Sequence, residues 1–221
     1  RKTAVESMVL LKNNGILPLK EDIGYLYVAG PTADNPNALL GNYYGVNPRV
    51  VTFLQGLAGR IPESTTVDFR TGALLDRPKP NPVDWAVFEA EKADVTLAFL
   101  GIDGSLEGEE GDALASEHKG DREDIGLPDG QLDFLKRMKD RGAKVVVVLT
   151  GGSALAIRQV HELADAVMMA WYPGEEAGNA MAEILYGDVS PSGRLPVTFY
   201  DSVADLPAYE DYAMEGRTYR F

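Results

Sequence analysis

Three short runs constrain this chain more than any other feature. Residues 95–100 (Val-Thr-Leu-Ala-Phe-Leu), 144–149 (Lys144, then Val145, Val146, Val147, Val148 and Leu149) and 166–171 (Ala-Val-Met-Met-Ala-Trp) are almost continuously apolar. A strand with one wet face alternates apolar and polar side chains. A run that does not alternate is covered on both faces, as the strands of parallel sheets are. Parallel neighbours need a crossover of a dozen or more residues, usually a helix. The intervals between the three runs carry such signals. Pro128 opens a periodic stretch that reaches Arg141 and stops at Gly142, and 153–163 is a second helix, with Ser153 as its N-cap after a tight Gly151-Gly152 turn.

The same alternation extends outward. Residues 25–29 form a strand closed by Gly30-Pro31, 51–58 a helix and 66–69 a strand. A helix through Trp85, Phe88 and Ala90 to Lys92 takes Asn81 as N-cap and Pro82 as its first position. A helix over 175–186 ends at Gly187, and beyond it come extended pieces, including 195–200, and an irregular tail. Residues 1–13, apolar at Ala4, Val5, Met8, Val9 and Leu11, read as one helix ended by Asn13-Asn14-Gly15. The pattern predicts an α/β fold: a mostly parallel sheet flanked by helices on both faces, a three-layer sandwich, as a single domain over 1–221. The first residues sit inside a predicted helix with no initiator Met and no leader pattern, so the chain reads as a piece of something longer, whose targeting information lies elsewhere.

Composition excludes several functions. Lys and Arg number 21 against 34 Asp and Glu, a net charge of −13 that repels a phosphate backbone, so no nucleic-acid partner is expected. No apolar run approaches the ~20 residues of a membrane span. With no cysteine there is no disulfide, thiolate metal site or cysteine nucleophile. The two histidines, His118 and His161, do not suggest a metal centre, and no metal or cofactor is expected. Neither G-x-G-x-x-G nor G-x-x-x-x-G-K-[ST] follows a strand, and no G-x-S-x-G elbow exists.

Ligands of open parallel sheets gather beyond the carboxyl ends of the strands. Four loops fall there: 30–45, 101–126, 151–153 and 172–176. The second is far longer than the usual 2–6 residues of such loops. It contains nine acids: Asp103, Glu107, Glu109, Glu110, Asp112, Glu117, Asp121, Glu123 and Asp124. Three readings stand side by side: a solvated acidic loop, which spacing alone favours; a calcium site, although no Asp-x-Asp-x-Asp-Gly run exists; and acid/base catalysis by a carboxyl that a partner surface desolvates. The 151–153 turn could instead cradle an anion on its backbone amides. Tyr43, Tyr44, Trp171 and Tyr172 lie at or near these strand ends, and flat aromatic faces suit sugar rings as well as packing.

Six stretches, in order, carry a resemblance over essentially the whole chain. They are Ser-Met-Val-Leu-Leu-Lys-Asn-Asn-Gly-Ile-Leu-Pro-Leu at 7–19, Gly-Asn-Tyr-Tyr-Gly at 41–45, Gly-Asp-Arg at 120–122, Trp-Tyr-Pro-Gly-Glu-Glu at 171–176, Pro-Ser-Gly-Arg-Leu-Pro-Val-Thr-Phe at 191–199 and Gly-Arg-Thr-Tyr-Arg-Phe at 216–221. Together they resemble the second domain of glycoside hydrolase family 3. That resemblance implies exo-acting, retaining β-glycosidase chemistry. A first, barrel-type domain supplies an aspartate nucleophile, and the second, an α/β sandwich, supplies an acid/base glutamate on a loop over the barrel pocket. By position after the strand-ending Gly101, the resemblance makes Glu107 the acid/base residue, with Glu109 and Glu110 as alternatives. It makes Asp121 and Arg122 loop-ordering residues, while Tyr43 and Tyr44, by their aromatic faces, are the substrate-binding candidates. Leu-Glu-Gly-Glu-Glu at 106–110 and Gly-Ser-Ala-Leu-Ala at 152–156 look most like β-xylosidases, with β-glucosides as the alternative substrate. The expected partners are the barrel domain and an oligosaccharide or aryl β-glycoside. Because a retaining site needs two carboxyl groups and the nucleophile belongs to the barrel, this chain alone is expected not to turn over glycosides. The competing expectation is a non-catalytic carbohydrate-binding or calcium-binding module.

Overall fold

The three apolar runs form the middle of one sheet. The computed structural model describes residues 1–79, 84–108, 115 and 122–215. Its strands are β1 (Val9–Asn13), β2 (Tyr25–Ala29), β3 (Thr66–Arg70), β4 (Val95–Gly101), β5 (Val145–Thr150) and β6 (Ala166–Trp171), in the spatial order β1-β6-β5-β4-β2-β3. Every neighbouring pair is parallel except β1 with β6. All residues of β4 and β5 are buried, as unbroken apolar sequence requires of a strand covered on both sides.

Alternation assigns the two faces. Leu97, Phe99, Val146 and Val148 point to one side, where α1 (Lys2–Ser7), α2 (Phe53–Ala58) and α7 (Ala177–Leu185) cover them. Ala98, Leu100, Val145 and Val147 point to the other, under α3 (Trp85–Lys92), α5 (Asp129–Asp140) and α6 (Arg158–Leu163). This is the mostly parallel sheet with helices on both faces that the sequence predicts. A one-turn helix, α4 (Gly104–Glu107), follows β4 directly.

Four expectations need correction. The predicted helix over 1–13 is two elements. α1 ends at Ser7, Met8 turns extended (φ −68°, ψ 137°), and Val9–Asn13 pairs with β6 as an antiparallel edge strand. Val-Leu-Leu satisfies helical and strand spacing equally, and the open edge of β6 decides between them. The helix expected over 153–163 begins only at Arg158, because the preceding residues bond elsewhere: the Ala156 amide donates to Ile125 O at 2.7 Å. Residues 195–200 contain no strand. The cap of α3 is Asp84, whose Oδ1 accepts from the Val87 amide at 3.3 Å, while Asn81 and Pro82 lie outside the described residues.

Candidate active site

The carboxyl ends of β2, β4, β5 and β6 bring their loops to one crest. At the end of β4, Gly101 has φ 124°, and a Cβ there would lie 2.2 Å from Thr150 O, so only glycine lets β4 leave beside β5. Gln131 of α5 ties this exit down. Its Oε1 accepts from the Gly101 amide at 2.8 Å, and its Nε2 donates to Gly101 O and Leu75 O, each at 2.7 Å. Asp103 then caps α4. Its Oδ1 accepts from the Ser105 amide (3.0 Å) and hydroxyl (2.6 Å), and its Oδ2 accepts from Asn35 Nδ2 at 3.1 Å. α4 is a single turn whose last residue is Glu107.

Glu107 is half-buried, and three donors converge on its carboxylate. The Gly152 amide donates to Oε2 at 2.7 Å, the Tyr172 hydroxyl donates to the same oxygen, and the Ser153 hydroxyl donates to Oε1. The 151–153 turn therefore does hold a carboxyl group on a backbone amide. That group is a side chain of the same protein, and Ser153 does not cap α6. A Cβ on Gly152 would stand 2.8 Å from Tyr172 Cε2 and 2.9 Å from Glu107 Oε2, which keeps this position glycine. Burial first, then the charge of Glu107, push the Tyr172 hydroxyl's pKa well above its ordinary value, so it stays a donor at neutral pH.

Tyr172 is aimed by an unusual residue. Trp171, the last of β6, has φ 62°, in the left-handed region that bulky side chains avoid. Its surroundings hold it there: the indole Nε1 donates to Ser7 O at 3.2 Å, and its ring meets Phe199 edge-on at 5.9 Å.

Arg122 lies one step further out. Its Nη2 donates to Ser153 Oγ at 2.7 Å and to Ala154 O at 3.2 Å. Its neighbour Asp121 and the alternatives Glu109 and Glu110 lie outside the described residues, as do Asp112, Glu117 and His118. Tyr43 and Tyr44 are 82% and 56% exposed at the tip of the loop after β2. That loop rests on the same crest: Gly41 lies against the Tyr172 ring, and the Asn42 carboxamide lies against Gly104. Among the described residues no group of three or more Asp, Glu or His is arranged to hold a metal ion. His161 is exposed on α6, away from the crest.

The sequence singled out Glu107, the 151–153 turn and Tyr172 separately but did not join them. Gly152, Ser153 and Tyr172 stand 45, 46 and 65 positions from it, so no local spacing joins them. The usable signals were the Gly-Gly-Ser turn at one strand end and the aromatic pair at the next.

The molecule is thus an α/β domain with a mostly parallel sheet, at whose carboxyl ends a half-buried carboxyl group accepts three hydrogen bonds. Residues 8–221 match the glycosyl hydrolase family 3 C-terminal domain, and the chain belongs to that family. It is 34% identical over 242 residues to the periplasmic beta-glucosidase of Salmonella typhimurium, covering 99% of this chain and 30% of that one. It is 50% identical over 122 residues to the xylan 1,4-beta-xylosidase of Xylanibacter ruminicola, covering 55% of this chain and 14% of that one. The solved structure of a GH3 exo-beta-xylosidase in complex with a xylobiose aziridine probe superposes with a TM-score of 0.76 at 32% identity, over 87% of this chain and 24% of that one. The chain thus spans less than a third of the length of these relatives.

Proposed function

We propose that the chain supplies the acid/base carboxylate of a retaining, exo-acting β-glycosidase of β-xylosidase type, and that Glu107 is that carboxylate. The observation that carries this reading is the placement of Glu107. It ends a helix of only four residues at the carboxyl end of β4, partly exposed, and is gripped from the ends of two neighbouring strands. A proton donor to a leaving oxygen needs this combination of fixed direction and access. The share of identity with a xylan 1,4-beta-xylosidase supports the pentoside class. In the reaction, Glu107 protonates the glycosidic oxygen as the aglycone departs, then as a carboxylate takes a proton from water that attacks the glycosyl intermediate. Retention places the nucleophile ~5–5.5 Å away across the scissile bond. That group belongs to the barrel-type domain of the longer enzyme. Tyr43 and Tyr44 face the sugar from the loop after β2.

Glu107→Gln in the longer enzyme tests the reading. Hydrolysis of xylobiose should fall by roughly 10²-fold or more, the usual share of a general acid. Aryl β-xylosides with good leaving groups should suffer less in the first step, since they need little protonation. Equal rates for the variant and its parent on both substrates would overturn the assignment. The 221-residue chain alone should show no turnover of either an aryl β-xyloside or an aryl β-glucoside.

A further inference from the structure

Glu107 is held asymmetrically. Among the described residues, Oε2 accepts from the Gly152 amide and the Tyr172 hydroxyl, whereas Oε1 accepts from the Ser153 hydroxyl alone. The three donors differ in kind. An amide can only donate, and a hydroxyl can donate or accept. Gly152 N–H therefore presents a donor to Oε2 in either state of the carboxyl group. Ser153 Oγ has two lone pairs, and Arg122 Nη2 occupies one of them at 2.7 Å. The other can accept from a protonated Oε1 once the Ser153 hydroxyl hydrogen turns away. Arg122 cannot drift from this task, because the same Nη2 also donates to Ala154 O at 3.2 Å.

Resting on the reading of Glu107 as the acid/base group, we propose that Ser153, Tyr172 and the Gly152 amide are positioning groups that hold Glu107 in both of its protonation states, with Arg122 acting through Ser153. A group that must be an acid in one half of a reaction and a base in the other needs partners that serve both forms. A set of pure donors would bind the carboxylate and reject the acid. Here one fixed amide sets the orientation, and a reversible hydroxyl follows the proton. Among the described residues, the titratable or charged groups facing this carboxylate are Tyr172 from the end of β6, Arg122 from the loop before α5 and Asp103 from the start of α4. The Asp103 carboxylate is already engaged by Ser105 and Asn35.

The test uses the 221-residue chain, isotopically labelled, with the Gly152 amide resonance followed by NMR as the pH is lowered. The amide shift should show one step, and Glu107→Gln should abolish it. Tyr172→Phe keeps the ring against Gly41 and Gly152 but deletes a donor that the ionised form uses most. The midpoint of the step should then move to higher pH, because the ionised form loses more than the neutral form does. Ser153→Ala should move it less, because Ser153 serves both forms. A Gly152 amide without a step that Glu107→Gln removes would overturn the cradle. So would a Tyr172→Phe midpoint that stays in place while thermal stability falls, which is the mark of a purely packing role. The two readings fail separately. If these titrations behave as stated while Glu107→Gln leaves the longer glycosidase fully active, the acid/base assignment falls and the cradle remains as a structural device.

Discussion

The middle of the sheet and the crest at its carboxyl ends are made by opposite rules. In β4 and β5 nearly every side chain is apolar and buried, and neighbouring valines and leucines replace one another with little loss of meaning. At the crest polar side chains are bonded to specific partners: Gln131 with Gly101, Asp103 with Ser105 and Asn35, Glu107 with Gly152, Ser153 and Tyr172. Apolar packing is tolerant of identity and sensitive to volume. Buried polar networks are tolerant of neither, because one missing partner strands the other. The difference explains how one domain can combine an interchangeable core with a crest where single atoms matter.

Two substitutions test that contrast directly. Phe99 is fully buried in β4 and stacks on Phe53 of α2, centroids 4.9 Å apart and planes at 20°. Phe99→Ala should cost about 3–5 kcal/mol of stability, the usual price of an aromatic core cavity, and Phe99→Leu much less. Chemical denaturation measures both, and equal losses would break the claim that the core reads volume. Gln131→Leu makes the converse test. It preserves apolar volume but strands the Gly101 amide and carbonyl and Leu75 O. It should cost about 2–3 kcal/mol and speed hydrogen exchange at the Gly101 amide. A neutral Gln131→Leu would place the crest under the same rule as the core.

This contrast also decides what could be read from sequence. The central strands were legible because covering both faces forces a continuous apolar run, a signature that needs no partner to be seen. The edge strand Val9–Asn13 was not legible, since its identity depends on the open edge of β6. The start of α6 was misplaced for a related reason. Gly151, Gly152 and Ser153 look locally like a turn and cap, and only the arrival of Glu107 from another loop gives them different work. Glu107 itself was picked out through the family resemblance and not through its surroundings. Its donors come from the ends of two other strands, and nothing in a linear spacing registers that meeting.

The smallest expected effect comes from one of several exceptions within the core, where the hydroxyls of Tyr27, Thr96 and Tyr186 are buried without a hydrogen-bond partner among the described residues. Tyr27 in β2 is fully buried, yet its hydroxyl has no hydrogen-bond partner among the described residues. Burial is the largest cause pushing its pKa well above the ordinary phenol value, with Arg70 opposing. The sign of the pH effect follows. Below about pH 10 the phenol is neutral in both folded and unfolded chains, and its contribution is constant. As pH rises past that point the unfolded chain loses the proton first, so stability is lost progressively toward the raised folded value. Tyr25 and Tyr172, also raised chiefly by burial, act in the same direction. Tyr27→Phe removes a stranded hydroxyl and one alkaline titration together. It should raise stability at pH 7 by about 1 kcal/mol and flatten the decline above pH 10 without removing it. Paired denaturation series at pH 7 and pH 10.5 separate the two effects. A destabilised Tyr27→Phe at pH 7 would mean that the hydroxyl is bonded after all, and the core would then follow the crest's rule at this one position.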